Sequence, residues 1–321
     1  MRKCCKLVVM LLGMTFLFTA CGKENGTDTQ EVETSTQEKE EKDVQSLVEK
    51  NFDKNGITNF EEIDLSSYEE QAGISLKDYV SYHFYYESDG LMIEGYLSAP
   101  AEQIKEDNKN PCLIFNHGGN QDYGALDPVQ TTYYSYVFDT ICVASNYRGC
   151  GDSEGTDSFG GDDVDDVIRL VDICKNFDYV DSDKINMLGI SRGGMMTYEA
   201  LRAEKEIHKA VVVSGLADSF MEYEEREDMQ SVYKELVGGT PDELPEEYEK
   251  RSATYWADEI DTPLLIFHTT GDEKVSCAQA DKIVDKLKEN EKECEYITFD
   301  SNEHAQLRNE DVEKIKEWFL Q

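Results

Sequence analysis

The sequence predicts an α/β fold with a mostly parallel central sheet and flanking helices, and three features predict it. Short apolar runs at residues 111–116, 140–146, 185–190, 210–214 and 263–268 lack polar–apolar alternation, as strands buried on both faces should. Helical patterns at about 163–176, 193–203, 278–290 and 311–320 are interleaved with them. An alternating pair of segments, 79–86 and 91–98, separated by Glu87-Ser88-Asp89-Gly90, precedes them and reads as an antiparallel hairpin. Strand alternating with helix implies right-handed crossovers between parallel strands.

The N-terminus is read separately. Arg2, Lys3 and Lys6 precede an apolar run at 7–18, followed by Thr19, Ala20 and Cys21, which is the pattern of an export signal over residues 1–20. The run is too short to span a bilayer comfortably. Phe18-Thr19-Ala20-Cys21 resembles a lipobox with Phe at its first position, so Cys21 is expected to be lipidated and the body held on the outer face of a bacterial membrane. Residues 22–55 are Glu-, Lys-, Thr-, Gln- and Ser-rich and predict a disordered acidic tether, because they cannot bury enough surface to offset the entropy of ordering. Residues 56–321 are expected to form one folded domain.

The chain carries 68 acidic and 31 basic residues, a formal net charge of −37. That surplus argues against nucleic acid and against electrostatic adhesion to anionic lipid, since both would repel it. Contact with the membrane is expected through the lipid alone. Of the nine cysteines, Cys4 and Cys5 fall in the signal and Cys21 at the proposed anchor. Cys112 and Cys142 sit in apolar runs and Cys174 on a helical stripe, where a thiol acts as a small hydrophobe. No CxxC spacing favours a zinc site or a redox pair.

One segment interrupts the rhythm. Residues 218–259 are acidic and aromatic, carry Gly238-Gly239, Pro241 and Pro245, and predict a small helical cap over the sheet's carboxyl edge, where ligands bind in open α/β sheets.

Gly151-Asp152-Ser153-Glu154-Gly155 and Gly189-Ile190-Ser191-Arg192-Gly193 both match G-x-S-x-G. A nucleophile elbow needs a strand before the serine and a helix directly after it. Ser191 has both; Ser153 lies in a Gly- and Asp-rich loop. A serine nucleophile needs a base, and in elbow-bearing folds the order is serine, acid, histidine. Of His83, His117, His208, His268 and His304, only His304 follows any acid placed beyond the strand ending at His268. Asp272, in Thr269-Thr270-Gly271-Asp272-Glu273, is the expected acid, with Glu273 and Asp300 as competitors. The oxyanion is expected to meet the backbone N–H of Arg192 and that of Gly119 or Asn120, in the loop His117-Gly118-Gly119-Asn120. His117 then reads as a loop-packing residue.

At this point the chain resembles the catalytic domain of the prolyl oligopeptidase family of serine hydrolases, with the α/β-hydrolase fold. The resemblance spans about residues 79–320. It rests on His117-Gly118-Gly119, Asn146-Tyr147-Arg148-Gly149-Cys150-Gly151, Tyr179-Val180-Asp181, Gly189 to Gly194, and Gly271-Asp272 followed by Val275. It implies the same triad, and it accounts for Ser153 by a non-catalytic family loop. Family peptidases commonly carry an N-terminal β-propeller, whereas only the tether and a short lead-in precede the domain here. Asn120 stands where many members have proline, and Ala305 where glycine often follows the histidine. The expected activity is cofactor- and metal-independent cleavage of a short peptide, with small-molecule esters as the alternative substrates and an inactive, ligand-binding scaffold as the reading from another class.

Three other groups stand out. Asp162, Asp163, Asp165 and Asp166 open a helix, and their spacing is not that of an EF-hand, so they read as first-turn acids that complement the dipole. The cap acids Glu222, Glu224, Glu225 and Glu227 read as a solvated face, with capture of a substrate amine as the functional alternative. Tyr223, Tyr233, Tyr248, Tyr255 and Trp256 either line a pocket or pack the cap.

Overall fold

Alternate residues of the central strands face opposite ways, and both sides are covered. Leu113 and Phe115 join one apolar cluster, with Phe138, Ile315 and Trp318. Cys112 and Ile114 join the other, with Val167, Met196 and Ile283. This two-sided burial is why the strand sequences show no alternation.

The computed structural model describes the backbone of residues 30–106, 108–204 and 206–321 and side chains from Lys42 onward. Residues 41–321 make one compact unit. The proposed signal, Cys21 and tether residues 22–29 lie outside the described residues. Among the described residues no helix is long and apolar enough to cross a membrane.

The strands are β1 (Asn59–Glu62), β2 (Tyr79–Ser88), β3 (Leu91–Pro100), β4 (Asn110–Asn116), β5 (Ile141–Ser145), β6 (Val180–Ile190), β7 (Lys209–Val213), β8 (Leu264–Thr269) and β9 (Cys294–Phe299). They form one sheet in the order β1-β2-β3-β5-β4-β6-β7-β8-β9. Pairing is antiparallel from β1 to the β3–β5 contact and parallel from β5 through β9. The hairpin expected at the start is β2–β3. It turns on Asp89 and Gly90, both at positive φ (51° and 78°), as the twist-matched two-residue turn requires.

The helices are α1 (Gln30–Lys54), α2 (Ser66–Ala72), α3 (Pro128–Phe138), α4 (Asp163–Lys175), α5 (Arg192–Ala203), α6 (Ser219–Glu225), α7 (Met229–Leu236), α8 (Pro245–Lys250), α9 (Cys277–Glu289) and α10 (Asn309–Leu320). Helices α3 and α10 cover one face of the sheet, while α4, α5 and α9 cover the other. The insertion between β7 and β8 contains α6, α7 and α8, with a small aromatic core of its own around Tyr233 and Tyr248.

The tether expected to run to residue 55 is corrected. Residues 30–54 are helical, and Val44, Val48 and Phe52 are buried in the main core, so the folded unit begins about fifteen residues before residue 56. These three residues recur every four positions and put one stripe of α1 against the sheet. The Phe52 ring meets Phe60 and Phe84 at 5.1 Å and Phe177 at 6.1 Å. The apolar content of the segment is low, but Val44, Leu47, Val48 and Phe52 share one face of the helix.

Candidate active site

Strand β6 ends at Ile190 and α5 begins at Arg192, and the single residue between them, Ser191, sits at φ 58°, ψ −123°. That is a sparsely populated conformation for a residue with a side chain, and it is the strained strand-to-helix turn that lifts a hydroxyl off a sheet. The flanking glycines are required by contact. A Cβ on Gly189 would lie 2.1 Å from the Gly193 carbonyl oxygen, and one on Gly193 would lie 1.9 Å from that of Asn116. The Ser191 N–H donates to the Val213 carbonyl at 3.1 Å, which ties the elbow to the end of β7.

Asp272 lies just past β8 with its side chain shut off from solvent. Its Oδ1 accepts the N–H groups of Lys274 (2.9 Å) and Val275 (3.1 Å). His304, on the loop between β9 and α10, places Nδ1 at 2.8 Å from Asp272 Oδ2 and 3.0 Å from Oδ1. Burial would raise the Asp272 carboxyl, but the His304 bond and charge together with the two backbone donors outweigh it and hold the group below its ordinary value. The competing acids do not serve: Glu273 and Asp300 are exposed, and the imidazole bonds Asp272.

The histidine loop is pinned at both sides. Thr269 Oγ1 donates to the Glu303 carbonyl at 2.8 Å, and the Ala305 N–H donates to Ser214 Oγ at 3.1 Å. Ser214 follows Val213, the residue that accepts the elbow's N–H, so the Ser191 elbow and the His304 loop are referenced to one strand end. Ala305 itself is at φ 59°, in the left-handed region, which is the reason glycine suits this position. His268 also lies here and was not singled out from sequence. It is buried, its Nε2–H donates to the Val275 carbonyl at 2.9 Å, and it stands 3.6 Å from Asp272 Oδ2. Nothing in its apolar strand context signals this role.

The two glycines after β4 form the loop facing the elbow. His117 Nδ1–H donates to the Gly118 carbonyl at 2.8 Å, so the Gly119 N–H, antiparallel across the same trans peptide, points away from His117. The His117 ring is stacked on Tyr147 at 4.3 Å, and burial pushes its pKa down to about 4, which keeps it neutral. It packs the loop, as its sequence context suggests. The expectation for Asn120 is corrected: its N–H donates to the Tyr123 carbonyl at 2.9 Å, because residues 120–123 close a tight turn. Among the described residues, the N–H groups of Gly119 and Arg192 donate to no partner.

Ser153 lies in a loop turn, and its Oγ accepts the Glu94 N–H at 3.0 Å. The aspartates at the start of α4 do more than complement a dipole. Asp166 makes a two-pronged pair with Arg148, through bonds of 3.0 and 2.7 Å, and Asp163 pairs with the buried Arg192 guanidinium. Among the described residues no cluster of three metal-binding side chains occurs. The cap acids divide. Glu224, Glu225 and Glu227 are exposed, but Glu222 is buried, accepts Gln279 Nε2–H at 3.1 Å, and has its pKa pushed up to about 8 by burial. Tyr233 and Tyr248 stack at 5.2 Å inside the cap, while Tyr255 is exposed. All six described cysteines are free.

A nine-stranded, mostly parallel sheet with a serine elbow after a central strand and an Asp–His pair beyond later strands defines a serine hydrolase of the α/β-hydrolase fold. The profile of the prolyl oligopeptidase family matches residues 129–321. A Bacillus subtilis (strain 168) protein described as "Uncharacterized peptidase YtmA" is 30% identical over 242 residues, covering 74% of this chain and 92% of that protein. Pyrococcus horikoshii acylaminoacyl peptidase superposes with a TM-score of 0.67 at 23% identity, over 80% of this chain and 43% of the other. Acetyl xylan esterase 1 from Thermoanaerobacterium sp. JW/SL YS485 superposes with a TM-score of 0.60 at 16% identity, over 87% of this chain and 93% of the other. This chain therefore spans most of the first relative and less than half of the acylaminoacyl peptidase. The chain belongs to the prolyl oligopeptidase family.

Proposed function

We propose that this family member is an extracytoplasmic, lipid-anchored serine peptidase in which Ser191, His304 and Asp272 form the catalytic triad. The observation that carries the reading is the joint placement of a strained Ser191 and a His304 whose Nδ1 is held by Asp272, both tied to the end of β7. With Nδ1–H committed to the carboxylate, Nε2 is the nitrogen that takes the Ser191 proton. Ser191 Oγ then bonds the substrate carbonyl carbon, the oxyanion is met by the N–H groups of Gly119 and Arg192, and His304 returns the proton to the leaving amine. Water, deprotonated by the same base, releases the acyl group. The peptidase relatives support amide substrates, and the N-terminal pattern ending at Cys21 supports the anchor.

Ester hydrolysis is the second reading. The likeness to the acetyl xylan esterase runs over nearly the whole of that protein, so the architecture at this size does not choose between acyl groups. Paired panels of aminoacyl anilides and short-chain esters, run on the wild type and Ser191→Ala, decide it. Anilide cleavage lost in Ser191→Ala is the expected result. Ester cleavage alone would make the protein a carboxylesterase, and substantial turnover surviving in Ser191→Ala would remove the triad. The anchor is tested by metabolic labelling with a radiolabelled fatty acid: incorporation should vanish in Cys21→Ala.

A further inference from the structure

We propose that Asp157, outside the triad, is a positioning residue that holds the two halves of the oxyanion hole at a fixed separation. The inference rests on the assignment of Gly119 and Arg192 as the oxyanion donors. Those donors sit on different segments, the loop after β4 and the start of α5; the ladder last pairs Asn116 with Gly189, three residues before each donor, and among the described residues no backbone hydrogen bond joins the two segments beyond that pair.

The join is made by side chains. The Arg192 guanidinium is buried, with its side chain only 2% exposed, and its Nη1 donates both to the Gly119 carbonyl at 3.1 Å and to Asp157 Oδ2 at 2.8 Å. Its Nη2 donates to Asp157 Oδ1 at 2.7 Å, completing a two-pronged pair. Asp157 Oδ2 also accepts the Gln121 N–H at 2.6 Å. One carboxylate is thus bonded to the elbow residue and to the opposite loop, while Arg192 bonds the carbonyl of the very residue whose N–H is the second donor.

A planar fork fixes direction as well as distance, which a lysine or an apolar contact would not do. Asp157 is itself oriented by the Phe159 N–H at 2.8 Å, and Arg192 is further held by Asp163. Replacing a buried ion pair by apolar groups often costs no stability, so stability alone does not account for this one. What the pair supplies is geometry at two backbone donors, where errors well under an ångström weaken the stabilisation of a developing charge.

The test is Asp157→Asn in the whole chain, chosen because Asp163 still neutralises Arg192 and the amide keeps one acceptor. Three quantities are read: kcat and KM on the best substrate, the affinity of a phenylboronic acid that forms a tetrahedral adduct on the serine, and the thermal midpoint. The expected result is a kcat loss approaching the order of 10²-fold, the effect of removing one oxyanion donor, with KM little changed and boronate affinity falling by a matching factor. A purely structural role would lower the midpoint without that split. Arg192→Lys, which keeps the charge and the backbone N–H but lacks the fork, should show the same split and serves if Asp157→Asn does not fold. Wild-type kcat and boronate affinity in a folded variant would overturn the proposal. Turnover that survives Ser191→Ala would instead overturn the site on which it rests, so the two failures are distinguishable.

Discussion

Glu94 on β3 is a single buried carboxylate that accepts four hydrogen bonds. Its Oε1 receives His83 Nε2–H and the Tyr96 hydroxyl, each at 2.8 Å, and its Oε2 receives Asn146 Nδ2–H at 2.5 Å and the Asp152 N–H at 3.0 Å. Changing Glu94 to Gln turns one oxygen into an NH₂ group. Set against Asn146 and Asp152, that group leaves two obligate donors unsatisfied; set against His83 and Tyr96, it forces the imidazole into its other tautomer and turns the hydroxyl away from its acceptor. At about 1–3 kcal/mol for each of the two groups disturbed, the loss is on the order of 2–6 kcal/mol, or roughly 10 °C in the thermal midpoint of a chain this large. The pH dependence is a second signature. Burial would raise the Glu94 carboxyl, but its four donors reverse this and hold it at about 2, against an ordinary 4.5. The folded state therefore binds this proton more weakly than the unfolded state, so the contribution is full above about pH 4.5 and drains away as the pH falls toward 2. Thermal unfolding of both proteins, followed by circular dichroism from pH 7 downward, should show a wide gap at neutral pH that narrows on acidification. A midpoint loss under about 2 °C at pH 7, or a gap that ignores pH, would refute the reasoning.

The folded boundary is tested by Phe52→Ala, which should cost about 3–5 kcal/mol in urea titrations because a fully buried ring is removed; an unfolded tether would make the change neutral. Asp272→Asn should keep the fold but lower kcat by about 10⁴-fold, since the amide no longer holds the Nδ1–H tautomer of His304, and steady-state kinetics beside a thermal scan would separate the two effects. Glu222 runs opposite to Glu94. Burial pushes it up to about 8, so the folded state keeps its proton while the unfolded state loses it near the ordinary 4.5, and stability from this group falls as the pH rises between those values. Glu222→Gln should flatten that decline, becoming relatively more stable than wild type at pH 8 in parallel thermal scans.

Much of the fold was readable because its rules are local. Residues 111–115 of β4 are apolar without a break since both faces of the strand are covered, and Gly189 and Gly193 bracket Ser191 since nothing larger fits the elbow. Helix α1 escaped notice because a few apolar residues among many charges look like a tether when counted, and Val44, Leu47, Val48 and Phe52 look like a stripe only when spaced. Helix α3 was missed although Asp127, Pro128 and Gln130 carry a capping box and a first-turn proline, because its Thr- and Tyr-rich body has no clear 3.6-residue period. Other features had no local signal. The pairing of Asp163 with Arg192 spans 29 residues, and the loss of the Asn120 N–H to Tyr123 depends on how one short turn closes.

The same physical need explains where the buried charge is concentrated. Loops at the carboxyl edge of a parallel sheet lack the ladder of bonds that orders the strands, and an apolar cluster alone would let them slide. Arg148 fixes the loop after β5 to α4 through Asp166, and Arg192 fixes the elbow through Asp157 and Asp163. The cap's Arg251 donates to the carbonyls of Ser158 and Phe159, residues flanked by those same two aspartates. Cap, elbow and oxyanion loop are therefore referenced to one short segment, 157–163. A displacement at Arg251 reaches the Gly119 and Arg192 N–H groups through that segment, whereas the Asp272 loop meets the cap at another point, Arg226, which donates to the Lys274 carbonyl. Arg251→Ala should accordingly be felt in kcat through the Gly119 and Arg192 contacts, with the pairing of His304 left intact.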